Sequence, residues 1–187
     1  MGRPSNRERR RKEILAAFAR VLADHGYAGA TVALVAAEAG VAAGLVHHHF
    51  ESKAELLGCL LNDLVSRFRE RVERYDSGDD PLLTYVDAAL KLDERADLTA
   101  ARCWVGVFAE AVRDPTLYRQ MRRRIETEMV AIQRRSGDRF SAQEAGAVLA
   151  FVVGSLVVGS FAPRKTAGFA APGVHRLVAA MRSRARD

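Results

Sequence analysis

The chain has 187 residues, of which 49% are hydrophobic, so it is long enough to bury a real core as one unit or two small subdomains. Its two cysteines, Cys59 and Cys103, lie far apart with no second ligand at metal spacing, which argues against a disulfide scaffold and fits a reducing cytoplasm. No window has the pattern of a signal peptide, and the longest apolar run, residues 145–162, is interrupted by glycines and serines and is a poor membrane span.

The formal net charge of +6 is concentrated at the start of the chain. A basic arm there consists of Arg3, Arg7, Arg9, Arg10, Arg11 and Lys12, beside the single acid Glu8. Such an arm suits a polyanion, but a solvated helix start or a disordered tail has the same composition. The first helix follows from a stripe of apolar residues at helical spacing that runs from Ile14 to Leu22. It ends at His25-Gly26-Tyr27, where the glycine supplies a helix terminus.

Two short helices come next. Thr31 can cap the first of them, which runs through Glu38, and Ala39-Gly40-Val41 forms the turn that follows. The second contains three consecutive histidines, residues 47–49. Small residues at the turn let the helices cross closely, with glycine in the left-handed position, which is the geometry of a helix-turn-helix. In that motif the second helix enters the major groove.

The remaining segments also have helical spacing and helical start signals. Ser52 to Glu55 reads as a capping box, with each side chain accepting from the other's backbone N–H, and opens a long helix through Tyr75. Asp80-Pro81 and Asp114-Pro115 each start a helix, and residues 99–113 form another that carries Trp104 and Phe108 on one face. Ser141 to Glu144 is a second capping box, before an apolar helix, a loop over residues 162–172 and a last helix ending near Arg184. The predicted fold is all-α with about nine helices.

The segment from Thr31 to Leu57, TVALVAAEAGVAAGLVHHHFESKAELL, resembles the signature of TetR-family transcriptional regulators. Trp104, Phe108 and the DPTLYR run from Asp114 are similar to the BetI-like branch of that family. The resemblance implies a DNA-binding domain over residues 1–52 and a ligand-binding and dimerisation domain over residues 53–187. It further implies a cytoplasmic repressor that needs no cofactor, dimerises through its last two helices and leaves a palindromic operator when a small molecule binds.

The same resemblance assigns site residues. The expected DNA-binding residues are Thr31, Ala42, Ala43, Gly44, Leu45, His47, His48 and Lys53. His49 is expected to be structural, turned toward the next helix. A metal site is disfavoured, because consecutive helical residues point about 100° apart and the three rings cannot converge on one ion. The family commonly has a capping serine where Ala42 stands and a cation near Ala43, so this chain lacks both.

The ligand site is harder to assign from sequence. Residues that can line a cavity are Phe68, Tyr85, Trp104, Phe108, Tyr118, Met121 and Met129, although each also fits an ordinary core stripe. Choline or betaine, which the branch name suggests, would favour an aromatic box. Two other functions stay open, a nonspecific DNA-binding protein and an all-α enzyme. The enzyme lacks support, because no carboxylate pair, activated nucleophile or phosphate loop falls on one element.

Overall fold

The computed structural model describes residues 6–75, 78–90 and 98–184. These residues contain helices and no strand, in agreement with the predicted all-α class. The nine helices found in the described ranges are α1 (Asn6–Gly29), α2 (Val32–Ala39), α3 (Ala43–His49), α4 (Lys53–Tyr75), α5 (Pro81–Leu90), α6 (Leu98–Ala111), α7 (Pro115–Arg135), α8 (Ala142–Phe161) and α9 (Pro163–Arg184). Arg3 of the basic arm and the turn residues Asp76 and Ser77 lie outside the described residues.

The predicted helix ends are set by local hydrogen bonds. The Thr31 hydroxyl accepts the Leu34 N–H at 3.2 Å, and Asp114 accepts the N–H groups of two residues in the first turn of α7. Gly40 ends α2 in the left-handed region with φ 65°, which a glycine adopts without steric cost. Gly26 has φ 67° and ψ 174°, so α1 is interrupted at the predicted glycine before one further turn. These positions confirm the predicted starts and ends of the helices in the helix-turn-helix region.

Only one of the two hydrogen bonds predicted for the capping box at the start of α4 is present as predicted. Ser52 accepts the Glu55 N–H at 3.1 Å, as expected. The Glu55 carboxylate, however, accepts the N–H of Glu51 at 2.7 Å rather than that of Ser52. Its other oxygen binds Arg11 at 3.1 Å, which draws the side chain toward α1. Glu55 therefore caps the chain one residue earlier than predicted and also forms a tertiary ion pair with Arg11.

The predicted loop over residues 162–172 is wrong, because α9 begins at Pro163 and continues past Pro172. Proline suits a first helical position, so Pro163 marks a start rather than a break. Pro172 lacks an N–H and should weaken the helix. Ala170, Ala171 and Val174 are buried around it, so packing of this stretch holds the helix together.

Two clusters of buried apolar side chains organise the molecule. The first joins α1, α2, α3 and the first half of α4 to α6 and the start of α7. The second joins α5, the end of α7, α8 and α9. Because the first cluster contains Phe18 from α1 together with Cys103 and Val107 from α6, it crosses the predicted division at residues 52 and 53. Helix α1, on which α2 of the helix-turn-helix packs, is thus itself packed directly on α6.

By length and composition alone, one helix in the described part of the chain, Ala142–Phe161, is apolar enough to cross a membrane. A single such helix is weak evidence, because the core helix of a soluble protein passes the same test. This helix, α8, packs against α5, α6, α7 and α9. Apolar side chains of α8 therefore pack against other helices of the fold.

Candidate DNA-binding surface and ligand cavity

The surface of α3 is small, apolar and uncharged apart from its histidines. Ala42, Ala43, Gly44, His47 and His48 are exposed, and Leu45 is half-buried; together these six residues are called the reading surface. Ala42 makes no side-chain capping hydrogen bond, in agreement with the missing serine. Thr31 is also exposed, but its hydroxyl caps α2. Apart from the two exposed imidazoles, this surface offers a partner only close apolar contact.

His49 has the structural position expected of it. Its side chain is buried, and its ring meets the ring of His48 edge-on with centroids 5.3 Å apart. Burial, and then the positive charges of His48 and of arginines on α1, lower the pKa of His49. The lowered pKa favours the neutral form of the buried ring, and its Nδ1 atom has no hydrogen-bond partner among the residues that the structure describes. The three histidines do not share one role.

Arg11 is a structural clamp rather than a free member of the basic arm. Its guanidinium donates to the His49 carbonyl and to the Cys59 sulfur, and binds Glu55. It also lies 4.1 Å from the centroid of the Phe50 ring. Arg11 thereby ties α1 to the junction of α3 and α4. Sequence analysis missed this role because the arginine stands in a run of similar residues.

Arg9, Arg10 and Lys53 have partners within the protein. Arg9 and Arg10 both pair with Glu13, at 3.7 Å and 2.7 Å, in exposed positions. The Lys53 ammonium lies 4.4 Å from the centroid of the Tyr27 ring and donates to the Ala28 carbonyl at 3.3 Å. Exposed contacts of this kind are weak and exchange readily with a phosphate.

A cavity of about 590 Å³ lies among α4, α5, α6, α7 and α8. Five of the seven predicted ligand residues line it: Phe68, Tyr85, Trp104, Phe108 and Met121. The Phe68 and Tyr85 rings meet edge-on at 5.4 Å, and those of Trp104 and Phe108 lie 6.1 Å apart. The other two residues do not line this cavity. Tyr118 is exposed on α7, and the Met129 side chain lies 3.3 Å from where a Cβ on Gly146 would stand.

Charged groups in the cavity wall were not predicted. The lining includes seven arginines and one carboxylate: Arg67, Arg69, Arg71, Arg74, Arg123, Arg124, Arg135 and Glu128. A signal was available on α4, where residues 67, 71 and 74 follow helical spacing beside Phe68 and share a face. Their separation from the α7 arginines along the chain concealed the grouping.

The polar contacts inside the cavity centre on Tyr85. Its hydroxyl donates to Glu128, and the Arg135 guanidinium lies 4.9 Å from its ring centroid. Burial, and then the charge of Glu128, raise the pKa of Tyr85 well above its ordinary value, so the hydroxyl stays protonated as a donor. The Arg124 guanidinium donates to the side-chain amide oxygen of Asn62 on α4 at 2.9 Å, and burial lowers the pKa of Arg124.

Helix α6 lies between the cavity and α1, and α1 in turn packs on α2 of the helix-turn-helix. Trp104 and Phe108 line the cavity, while Cys103 and Val107 are fully buried in the first cluster beside α1. The Cys103 sulfur donates to the Ala19 carbonyl of α1 at 3.2 Å. A displacement of α6 by a ligand would therefore act directly on α1.

Comparison with known proteins gives a consistent family. Residues 14–58 match the family described as "Bacterial regulatory proteins, tetR family". The HTH-type transcriptional regulator BetI of Escherichia coli (strain K12 / DH10B) is 30% identical over 155 residues, which cover 79% of this chain and 80% of that protein. BetI of Stenotrophomonas maltophilia (strain R551-3) is 35% identical over 118 residues, 60% of each chain.

Solved structures share the fold. A putative TetR-family regulator from Rhodococcus sp. superposes with a TM-score of 0.79 at 24% identity, covering 92% of this chain and 98% of that one. A putative regulator from Saccharomonospora viridis, solved in complex with choline, has a TM-score of 0.65 at 22% identity, covering 96% and 95%. With the fold, the family match and the BetI relatives in agreement, the chain belongs to the TetR family of DNA-binding transcriptional regulators and is BetI-like.

Proposed function

We propose that the protein is a cytoplasmic repressor that binds a palindromic operator as a homodimer and releases it when a small molecule fills the cavity. The observation that carries this proposal is the position of α6, with Trp104 and Phe108 in the cavity and Cys103 bonded to α1. A ligand that fits only one arrangement of α6 favours the matching position of the helix-turn-helix, and needs only differential affinity to do so.

The DNA contact is assigned to the reading surface. Gly44 supports this assignment, because a Cβ built there would meet no protein atom within 4 Å. Glycine costs a helix about 0.5–1 kcal/mol relative to alanine, so the fold gains nothing from it at this position. A glycine at this position would let a base edge or a phosphate approach the backbone of α3 closely. Lys53 and Arg9 flank the surface and are assigned to phosphates.

The dimer is assigned to the last two helices. Apolar side chains on them are exposed, with Phe161 82% accessible, Val158 46% and Phe169 44%. Side chains of this size on neighbouring helices indicate a surface that a second copy covers. The functional division follows the same logic, with residues 1–52 binding DNA and residues 53–187 binding ligand and the partner subunit.

Footprinting upstream of the protein's own gene and of the divergent neighbouring gene tests the DNA-binding assignment. We expect protection of two symmetric half-sites whose centres are about 34 Å, or a multiple of it, apart. Protection should survive an excess of random DNA. Uniform binding that random DNA removes would instead identify a nonspecific binder and overturn the proposal.

A further inference from the structure

The wall of the cavity has an unbalanced charge. Among the lining residues that the structure describes, seven are arginines and one is the carboxylate Glu128. The Glu128 carboxylate already accepts the Tyr85 hydroxyl. Arg67 pairs with Asp63 at 2.9 Å, and Arg67, Arg69, Arg74 and Arg123 are exposed to solvent. The cations that protein partly covers are Arg71, Arg124 and Arg135. Where protein replaces part of the surrounding water, cations attract an anion more strongly than they do in bulk water.

Arg124 is the cation in this wall that most favours an added anion. Its side chain is half-buried, and its guanidinium donates a hydrogen bond to the neutral amide oxygen of Asn62 at 2.9 Å. Burial alone shifts its pKa, in the downward direction, so no described carboxylate compensates for the lost solvation. A guanidinium presents a planar fork of donors that matches a carboxylate.

The remainder of the cavity is apolar. Leu64, Tyr85, Ala88, Ala101, Met121, Leu149 and Val152 are buried lining residues. They come from α4, α5, α6, α7 and α8, so apolar side chains face the cavity from every helix around it. A ligand that buries an apolar body among them gains free energy in proportion to the area removed from water.

The Tyr85 ring in the cavity wall already has a cation and a neighbouring aromatic ring beside it. Arg135 already lies 4.9 Å from the Tyr85 ring centroid, and the Phe68 ring packs against Tyr85 edge-on. A quaternary ammonium needs open ring faces that converge on one point. Here an internal cation lies beside one of the rings.

We propose that the cavity binds an amphipathic anion, with a carboxylate head at Arg124 and an apolar chain lying against Trp104 and the buried residues of α8. This inference rests on the proposed ligand-responsive function and specifies its ligand class. A ligand of this class would distinguish the protein from a regulator that senses small cations.

The single tryptophan makes the test direct, because Trp104 lines the cavity and its fluorescence reports occupancy without DNA. The full-length protein is titrated at low salt with decanoate and decyltrimethylammonium, each below its micelle concentration, and with decanol below its solubility limit. We expect decanoate to bind at least about tenfold more tightly than the other two, since a charge-assisted hydrogen bond is added to the same apolar tail. Equal or tighter binding of decyltrimethylammonium would overturn the proposal, as would failure of decanoate to bind.

Variants locate the head group. Arg124→Met should weaken decanoate binding about tenfold and leave decanol binding unchanged, and Arg124→Lys should restore part of the loss. The matched control is Arg134→Met on the same helix, an exposed arginine that does not line the cavity and should have no effect. An unchanged decanoate affinity in Arg124→Met would contradict the placement. If Arg124→Met fails to fold, as thermal melting would show, the three-probe comparison on the wild type still decides the ligand class.

The readout also separates this inference from the proposed function. Decanoate that binds the cavity without loosening operator DNA would support the ligand class and contradict ligand-controlled repression. If the protein does not bind decanoate but other compounds release it from the operator, the result would support ligand-controlled repression and contradict the proposed ligand class.

Discussion

The reading surface and the cavity wall distribute charge in opposite ways. Helix α3 contains no lysine or arginine, although it is the part assigned to DNA, whereas the cavity wall contains seven arginines. Net positive charge in this chain is therefore not a simple measure of DNA binding. Under the proposed function, DNA contacts at α3 would depend on shape and imidazole chemistry, whereas the arginines of α4 and α7 would serve a ligand.

Removing both exposed histidines should give the largest effect and would test one side of this contrast. With His47→Ala and His48→Ala combined, we expect operator affinity to fall about 100-fold, since each ring supplies a contact of roughly 1–2 kcal/mol. Fluorescence anisotropy with the footprinted operator measures the loss. Ligand binding at Trp104 should be unaffected. Retention of full operator affinity would show that α3 reads DNA without its histidines.

Changing Trp104 to Leu tests the assignment of the cavity to ligand binding. The cavity stays apolar but loses an aromatic face and an N–H donor, so we expect the ligand concentration for half-release of the operator to rise about tenfold. Operator affinity without ligand should match the wild type. If Trp104 serves only the core, the melting temperature falls and the release curve does not move.

Gly44→Ala should change stability and DNA binding in opposite directions. Alanine gains about 0.5–1 kcal/mol of helix stability, and the added methyl meets no protein atom. It stands on the reading surface, where we expect operator affinity to fall a few-fold. Gly173→Ala is the matched control, because a Cβ there lies 2.8 Å from the Phe151 ring and should destabilise α8 and α9 instead. Operator binding by Gly44→Ala that equals wild type would remove the argument for close approach.

The smallest effect concerns the buried histidine. The pKa of His49 is lowered in the folded state, so the unfolded chain takes up a proton first as pH falls below about 6.5. Stability from this group is present above that pH and is lost as pH falls through the folded pKa, at no more than about 1.4 kcal/mol per pH unit. Urea unfolding between pH 7.5 and 5 measures the slope, and His49→Gln should reduce it. Identical slopes in both proteins would contradict the assignment.

The helix-turn-helix was predictable because its signals are local. Thr31 caps α2 and Gly40 ends it through contacts within a few residues, so their spacing carries the geometry. Arg11 shows the limit of this reasoning. Its partners lie 38 to 48 residues away, and nothing in the neighbouring sequence separates it from Arg10.

The cavity was only partly predictable because five helices build it. A regular apolar stripe identifies the inward face of a helix, which was sufficient for Phe68 and Met121. The same pattern does not distinguish cavity from core or from solvent, so Tyr118 and Met129 were grouped with them. Pro172 was read as the end of a loop, since packing of its buried neighbours on α9 is invisible in the sequence.

Coupling between the cavity and α3 is the central claim, and one titration tests it most directly. Decanoate is titrated into the protein while Trp104 fluorescence is followed, first alone and then with saturating operator DNA. Linkage requires that operator weaken decanoate binding by the same factor by which decanoate weakens operator binding. We predict such a reciprocal loss of affinity. The same decanoate affinity with and without operator would contradict the account.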